Sequence, residues 1–145
     1  MAGKITENMF LDSCIDADAH AAGTFWGDEI DMQDYHKVVY ALSVGDMASS
    51  ATVDYAVWGC ATSAGTFAAI TGGSITQLTQ AGTDADKQAL IEIDAQTVLA
   101  AGYRYVKDRL LVGTDAVDAC AVGFGFYARY APETDLTSVD EIVTA

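Results

Sequence analysis

Two histidines and three cysteines are the side chains of this 145-residue sequence best suited to nucleophilic chemistry. Neither His20 nor His36 adjoins a nucleophile motif, and the sequence has no G-x-S-x-G elbow, H-E-x-x-H pair or G-x-x-x-x-G-K-[ST] loop. A thiolate pair of Cys14 with either histidine would need the fold to bring them together, because nothing in their local sequence favours it. The sequence therefore predicts that the chain has no catalytic residue and no cofactor, and that it is not an enzyme.

The cysteines follow no disulfide or zinc pattern, because their number is odd and no two of them are closely spaced. Cys60 and Cys120 lie in apolar, strand-like runs, where a free cysteine behaves as a small buried hydrophobic residue. Residues 1–18 lack the continuous apolar segment of a secretory signal. We therefore expect synthesis in a reducing cytoplasm.

Carboxylates near the N-terminus offer a candidate metal site at Asp12, Asp16 and Asp18. Such a cluster would suit Ca²⁺, which prefers oxygen ligands. The segment lacks the third oxygen ligand, the glycine and the terminal glutamate of an EF-hand loop, and the pair Asp84 and Asp86 is equally incomplete. A solvated acidic face is the alternative interpretation, so the three aspartates stand as calcium candidates and no metal site is assigned.

Aromatic side chains suggest a different role, because flat exposed rings stack on sugars. Most of them lie in strand-like segments where half must point inward, so most are expected in a core or an interface. Trp26 and Trp58 best fit a glycan-binding surface. The arginines of the second half are expected to pair with carboxylates rather than to hold a ligand. The other aromatic candidates are Tyr55, Tyr103, Tyr105, Tyr127 and Tyr130, and the arginines are Arg104, Arg109 and Arg129.

The charge balance limits the partners of the chain. Seven basic and 21 acidic side chains give a net charge of −14, with a pI of about 4.1. A nucleic-acid partner and an anionic membrane surface both require clustered Lys and Arg, so the sequence predicts neither. At 51% hydrophobic and 19% charged residues, the chain is nevertheless apolar enough to fold, and its length suits one compact domain.

Hydrophobic periodicity divides the sequence into an N-terminal arm at 1–34, a β-patterned body at 35–132 and an acidic tail at 133–145. The body contains about seven short strand patterns separated by turn signals, and it lacks the long helices of a parallel α/β fold. The sequence therefore predicts an all-β, antiparallel β-sandwich with an extended N-terminal arm. The strands are predicted at 36–44, 52–62, 66–70, 74–79, 88–94, 103–112 and 117–130.

Two local features refine this prediction. A single helical turn at 95–101 is expected to begin after Asp94, a capping residue, and to end at Gly102. Strand 117–130, which Pro132 is expected to end, has one face of larger residues and one bare face of small ones. Because small residues permit close approach of a backbone, the bare face is expected to pack against an adjacent sheet or subunit. The larger face contains Cys120, Val122, Phe124, Phe126 and Tyr130, and the bare face contains Ala119, Ala121, Gly123, Gly125 and Tyr127.

Four segments of the body carry a resemblance to a known family: Asp54–Val57, Ile91–Ile93, Gly102–Val106 and Tyr127–Pro132. Together they resemble the head decoration, or capsid cement, proteins of tailed bacteriophages, over roughly residues 36–132. The resemblance implies a jelly-roll-like sandwich, made in the host cytoplasm and bound to the outer surface of the virion capsid. It also implies a trimer or dimer that bridges neighbouring major capsid subunits.

Under that resemblance, the arm and the end of the last strand are the expected contact regions with the major capsid protein and with other copies of the chain. A tail or fibre module, or a glycan-binding domain, would share the same sandwich and is the alternative. The interface candidates are Met9, Phe10, Leu11, Phe25, Trp26, Tyr127, Arg129 and Tyr130.

Overall fold

The computed structural model describes residues 5–130 and 134–144, and within them the predicted antiparallel β-sandwich is confirmed. None of the helices in this part of the chain is long and apolar enough to cross a membrane. The strands are β1 Met9–His20, β2 Gly23–Trp26, β3 Ile30–Asp31, β4 Tyr35–Met47, β5 Thr52–Cys60, β6 Ala68–Ser74, β7 Leu78–Thr79, β8 Gln88–Asp94, β9 Tyr105–Gly113 and β10 Val117–Ala128. The helix α1 spans Ala95–Ala100, and 3₁₀ turns lie at Ile5–Glu7 and Gln80–Gly82.

Two sheets form the sandwich. The four-stranded sheet has the order β1-β10-β4-β8, and the six-stranded sheet has the order β2-β9-β5-β6, with β3 also paired to β9 and β7 to β5. All pairs are antiparallel. The chain passes repeatedly from one sheet to the other. In these orders β9 and β5 lie at the centre of the six-stranded sheet, and β10 and β4 lie at the centre of the four-stranded sheet.

The core lies between the sheets and follows the predicted alternation. On β4 the side chains of Val38, Tyr40, Leu42 and Val44 are buried, as the pattern of apolar residues at every second position predicts. On β5 the same holds for Val53, Tyr55 and Val57. Helix α1 lies within the predicted turn: the Asp94 carboxylate accepts the Gln96 N–H at 2.8 Å, and Gly102 follows with a left-handed φ of 81°.

Strand β10 presents its bare face to the core and its larger residues to the outside. A Cβ on Gly125 would lie 2.6 Å from the Tyr35 ring, and one on Gly123 would lie 2.6 Å from the Tyr40 ring. The bare face therefore lies toward the other sheet, one of the two expected alternatives, but its glycines make room for two tyrosine rings of β4 and not for a closely approaching backbone. Tyr127 leaves this alternation because its left-handed φ of 55° turns it outward, where it is 61% exposed.

The extended N-terminal arm is not confirmed, because most of residues 5–34 belong to the sandwich. β1 is an edge strand paired with β10 from Met9↔Phe126 to His20↔Val117, and β2 and β3 pair with β9. The register of β1 shifts twice, between Leu11 and Ser13 and between Ile15 and Asp18. These irregularities interrupt the period of two, which is why the sequence pattern did not predict the strand.

The acidic tail forms no helix or strand within 134–144, but its first residues lie against β1. The Leu136 N–H donates to the Leu11 carbonyl at 2.8 Å, and the Asp135 carboxylate accepts the Leu11 N–H at 2.6 Å. These bonds cover part of the β1 edge. Pro132 lies outside the described residues.

Candidate functional site

Buried polar chemistry is concentrated around Asp108, on the inner face of β9. The Asp108 carboxylate accepts hydrogen bonds from the Ser13 hydroxyl at 2.8 Å and the Tyr55 hydroxyl at 2.7 Å, and the residue is fully buried. Burial raises the pKa of Asp108, and the bonds from Tyr55 and Ser13 only partly oppose this effect. Because Ser13 is on one sheet and Tyr55 on the other, the carboxylate joins the two sheets.

This interior group has no room for a substrate. A Cβ on Gly27 would lie 1.9 Å from Asp108 Oδ1, so the backbone of the 27–29 loop closes directly over the carboxylate. The Gly27 N–H also donates to the Asp108 carbonyl at 3.0 Å. The Tyr40 hydroxyl is buried as well, without a hydrogen-bond partner among the described residues. We therefore interpret Asp108 as part of the architecture.

The hypothetical thiolate pair is not formed. His20 Nε2 lies 3.0 Å from the Asp16 carbonyl oxygen and 3.1 Å from that of Ala119, and His36 is exposed elsewhere. Burial and the neighbouring Asp16 carboxylate raise the pKa of the Cys14 thiol, which opposes formation of a thiolate. Of the other cysteines, Cys60 is buried as expected, whereas Cys120 is only half-buried on the outer side of β10.

The calcium candidates do not converge on one point. Asp12 accepts a hydrogen bond from Tyr35, and burial raises the pKa of its carboxyl. Asp16 lies 3.7 Å from the Cys14 Sγ, and Asp18 accepts the Ala19 N–H. In residues 5–130 and 134–144, no group of three or more His, Cys, Asp or Glu side chains is placed to hold a metal ion. The irregular strand β1 directs the three carboxylates to different neighbours.

The outer side of the four-stranded sheet is a continuous surface of half-buried and exposed apolar residues, which we call the outer apolar face. Register brings its members together across all four strands: Leu11 opposes Phe124, Phe124 opposes Val39, and Ala41 opposes Leu90. Leu90 is 72% exposed. The face comprises Met9, Leu11, Cys14, Val39, Ala41, Leu90, Val122, Phe124 and Phe126.

One corner of this face ends in charged and aromatic groups. Lys37 forms an ion pair with Glu92, and with Val39, Phe126 and Tyr127 these two residues line a shallow hollow. Tyr127 stands exposed there on a left-handed backbone, a conformation that is unfavourable for a residue other than glycine. Strain of this kind is often retained where a side chain makes a functional contact.

The outer side of the six-stranded sheet carries a different surface, which we call the cationic–aromatic patch: Trp26, Trp58, Phe67, Lys107 and Arg109. The two indole rings meet edge to face with centroids 5.5 Å apart. Lys107 Nζ lies 4.5 Å from the Trp26 ring centroid and 4.2 Å from that of Phe67, and Arg109 Cζ lies 4.7 Å from that of Trp58. The patch is thus an interlocked stack of cations and rings.

The arginines only partly follow the expectation of carboxylate pairing. Arg104 Nε donates to both oxygens of Asp31, at 2.9 and 3.1 Å. Burial tends to raise the pKa of Asp31, but the bonds from Arg104 and the Gln33 N–H lower it overall. Arg129 Nε instead donates to the Tyr35 carbonyl at 3.4 Å. Arg109, like Lys107, has no ion-pair partner among the described residues, so its expected pairing is wrong.

The predicted interface residues are dispersed over the molecule. Met9 and Leu11 belong to the outer apolar face, beside the exposed Tyr127. Phe10 must be corrected, because it is only 9% exposed and packs in the core with its ring centroid 6.2 Å from that of Tyr35. Phe25 packs against the core and against His20. Trp26 lies in the cationic–aromatic patch. Arg129 and Tyr130 follow β10 and are exposed.

Several residues of both surfaces were missed at the level of sequence. Lys107 and Phe67 show no local signal, because their partners are on other strands. Val39 and Leu90 had a usable signal: each is an apolar residue at a position that alternates with the buried residues of its strand. No protein-family model matches the chain, and no curated protein is significantly similar to it.

Proposed function

We propose that this chain is a structural virion protein, which binds the outer surface of a phage capsid and stabilises it by bridging neighbouring major capsid subunits. The outer apolar face is the observation that carries the proposal. Soluble monomers rarely leave such a continuous apolar surface open to water, and surfaces of this kind mark contacts with other proteins.

The strand order supports this proposal. We interpret β1-β10-β4-β8 facing β2-β9-β5-β6 as the connectivity of a jelly roll, with β3 and β7 as short additions. Jelly rolls are common in viral capsid and lectin domains. The fold is compatible with a coat protein, but one fold serves many functions. The proposal therefore depends on the chemistry of the surface.

The outer apolar face has the composition of an interface centre. Phe124, Val122 and Val39 are half-buried in its middle, and the Lys37–Glu92 ion pair lies toward its margin. An apolar centre with a charged rim is typical of protein–protein interfaces. The partner we propose for this face is the major capsid protein, and contact among decoration subunits would use the neighbouring Tyr127 and Tyr130, which are 61% and 63% exposed.

The test is binding to capsid shells assembled from the major capsid protein of the same genome. We expect the chain to co-elute with the shells in gel filtration and to raise their melting temperature. The variant Val122→Lys places a charge at the centre of the face and should abolish co-elution. Thr71→Lys, at an exposed position of β6 in the other sheet, is the matched control and should bind as the unmodified chain does. Absence of co-elution for the unmodified chain would refute the proposal.

A further inference from the structure

We propose that the cationic–aromatic patch binds a short acidic oligosaccharide, whose sugar rings pack on the tryptophans while its carboxylates pair with Lys107 and Arg109. This site is independent of the proposed capsid contact, because it lies on the opposite outer face of the sandwich. A chain attached to a shell through its outer apolar face would keep the patch open to solvent.

The charges of the patch are the first observation. The chain has a net charge of −14, yet Lys107 and Arg109 lie together on β9, without a carboxylate within 4.0 Å among the described residues. Among the described residues, these two cations form cation–π contacts with aromatic rings and no ion pairs. A ligand carboxylate would add charge-assisted hydrogen bonds without breaking an existing ion pair. The patch therefore selects an anionic group.

The rings are the second observation. Trp26 remains 40% exposed although Lys107 lies over its ring, and Trp58 holds it edge to face. An apolar ring surface beside cations matches a sugar acid, which has an apolar face of C–H groups and a carboxylate at its edge. Both tryptophans lie on paired strands, so their part of the site is organised before a ligand arrives.

The position of the patch favours a saccharide over an acidic peptide. Extended peptides bind by adding a strand to a sheet edge, where unpaired N–H and C=O groups are available. Lys107 and Arg109 lie on β9, which is paired with β5 on one side and with β2 and β3 on the other. Recognition by Lys107 and Arg109, which lie away from the sheet edge, has to use side chains, ring faces and charges.

A short saccharide is also favoured over a nucleic acid. Oligonucleotides stack on aromatic residues, but they bind in grooves that carry many cations along the phosphate backbone. This patch has two cations, whereas the chain as a whole has a net charge of −14. Repulsion grows with each phosphate beyond the patch, whereas a sugar acid with one to three carboxylates fits within it.

Tryptophan fluorescence tests the proposal directly, because both tryptophans of the chain are in the patch. Titration of the full chain with trigalacturonic acid at constant ionic strength should change the tryptophan emission and saturate, with a Kd on the order of 1 mM or tighter. Maltotriose, a neutral trisaccharide, should bind at least about tenfold more weakly, because each charge-assisted bond contributes about that factor. Equal binding of the two sugars, or no response to trigalacturonic acid, would overturn the proposal.

The double variant Lys107→Gln with Arg109→Gln should weaken binding of trigalacturonic acid by at least about tenfold. Lys37→Gln with Lys87→Gln removes the same charge away from the patch and should leave binding unchanged. If the first pair unfolds, Lys107→Arg with Arg109→Lys keeps both charges and should still bind trigalacturonic acid at least about tenfold more tightly than maltotriose. Triglutamate and a short oligothymidylate complete the test: either binding as tightly as trigalacturonic acid would assign the patch to peptides or to nucleic acid and refute the saccharide.

Discussion

The two outer faces of the sandwich differ in how far their side chains are covered by contacts within the chain. On the four-stranded sheet, Phe124, Val39 and Leu90 present apolar side chains to solvent. On the six-stranded sheet, Trp26 and Trp58 contact each other and the cations of Lys107 and Arg109, and Trp26 remains 40% exposed. The first face gains most of its stabilisation only when another surface covers it, whereas the second already gains part of it within the chain.

This difference indicates where function lies on a protein whose polar interior is closed. Among the described residues Asp108 is the one fully buried carboxylate, and the backbone at Gly27 closes over it. The surfaces that a partner could reach are therefore the two outer faces. The apolar face suits a large protein partner, and the cationic–aromatic patch suits a small charged one.

The variant with the largest expected effect tests the orientation of β10, whose glycines point inward and whose larger residues point outward. Gly125→Val should lower the free energy of unfolding by roughly 3 kcal/mol, because the added atoms would overlap the Tyr35 ring. Ala41→Val, on the outer apolar face, should change it by less than about 0.5 kcal/mol. Urea denaturation measures both. Similar values for the two variants would mean that the faces are assigned the wrong way round.

The next prediction separates binding from folding on the outer apolar face. Phe124→Lys combined with Leu90→Lys should reduce the proposed binding to capsid shells about 100-fold or more, a loss of about 2.7 kcal/mol, because two charges would have to be desolvated. The thermal unfolding midpoint should change by only a few degrees, since both side chains already face solvent. Shell binding by sedimentation and unfolding by circular dichroism give the two readouts. Undiminished binding would remove this face from the interface.

A smaller effect compares the faces by their contribution to stability. Trp58→Ala should cost roughly 2–3 kcal/mol, because it removes the contacts with Trp26 and Arg109 from a central strand. Phe126→Ala on the outer apolar face should cost roughly 1 kcal/mol, because its ring is half-exposed. Chemical denaturation of both variants measures the difference. If Phe126 contributed as much as Trp58, the contrast between the two faces would not hold.

The smallest effect concerns the link between the two sheets. The pKa of Asp108 is raised by burial above its ordinary 3.8, so the folded state keeps its proton over a range where the unfolded state has lost it. The free energy of unfolding should therefore fall as pH rises from about 3.8 through the raised pKa.

Asp108→Asn does not titrate and should make that decrease shallower, which urea denaturation over a pH series would measure. Some decrease should remain, since burial also raises the pKa of Asp12. An unchanged slope would show that Asp108 does not contribute.

Much of the fold was predictable from local patterns. Strand β8 has the predicted bounds Gln88–Asp94, α1 lies within the predicted turn, and β4 begins one residue before its predicted start. These elements depend on period-two alternation, on a capping carboxylate and on glycine, all of which act within a few residues. The strand β1 was not predicted, because its register shifts disturb the alternation while its pairing with β10 stabilises it.

The candidate surfaces were predictable only in part. Trp26 and Trp58 were named as candidates for a glycan-binding surface and lie in the cationic–aromatic patch, and the interface candidates Met9 and Leu11 lie on the outer apolar face. Phe10 was assigned to the same group but is in the core, because neighbouring residues of a strand point to opposite faces. Arg109 was expected to pair with a carboxylate, yet the register between β9 and its neighbours places it among aromatic rings.

The sequence by itself determined the class of fold, the position of most strands and the acidic character of the chain, because these depend on composition and on contacts between near neighbours. The tertiary structure decided which side of β10 is buried and which distant residues meet. Alternation on β10 distinguishes two faces but cannot say which one is inside; that depends on Tyr35 and Tyr40 of another strand, which fill the space above the glycines. The outer apolar face and the cationic–aromatic patch arise in the same way, from the registers of strands far apart in the chain.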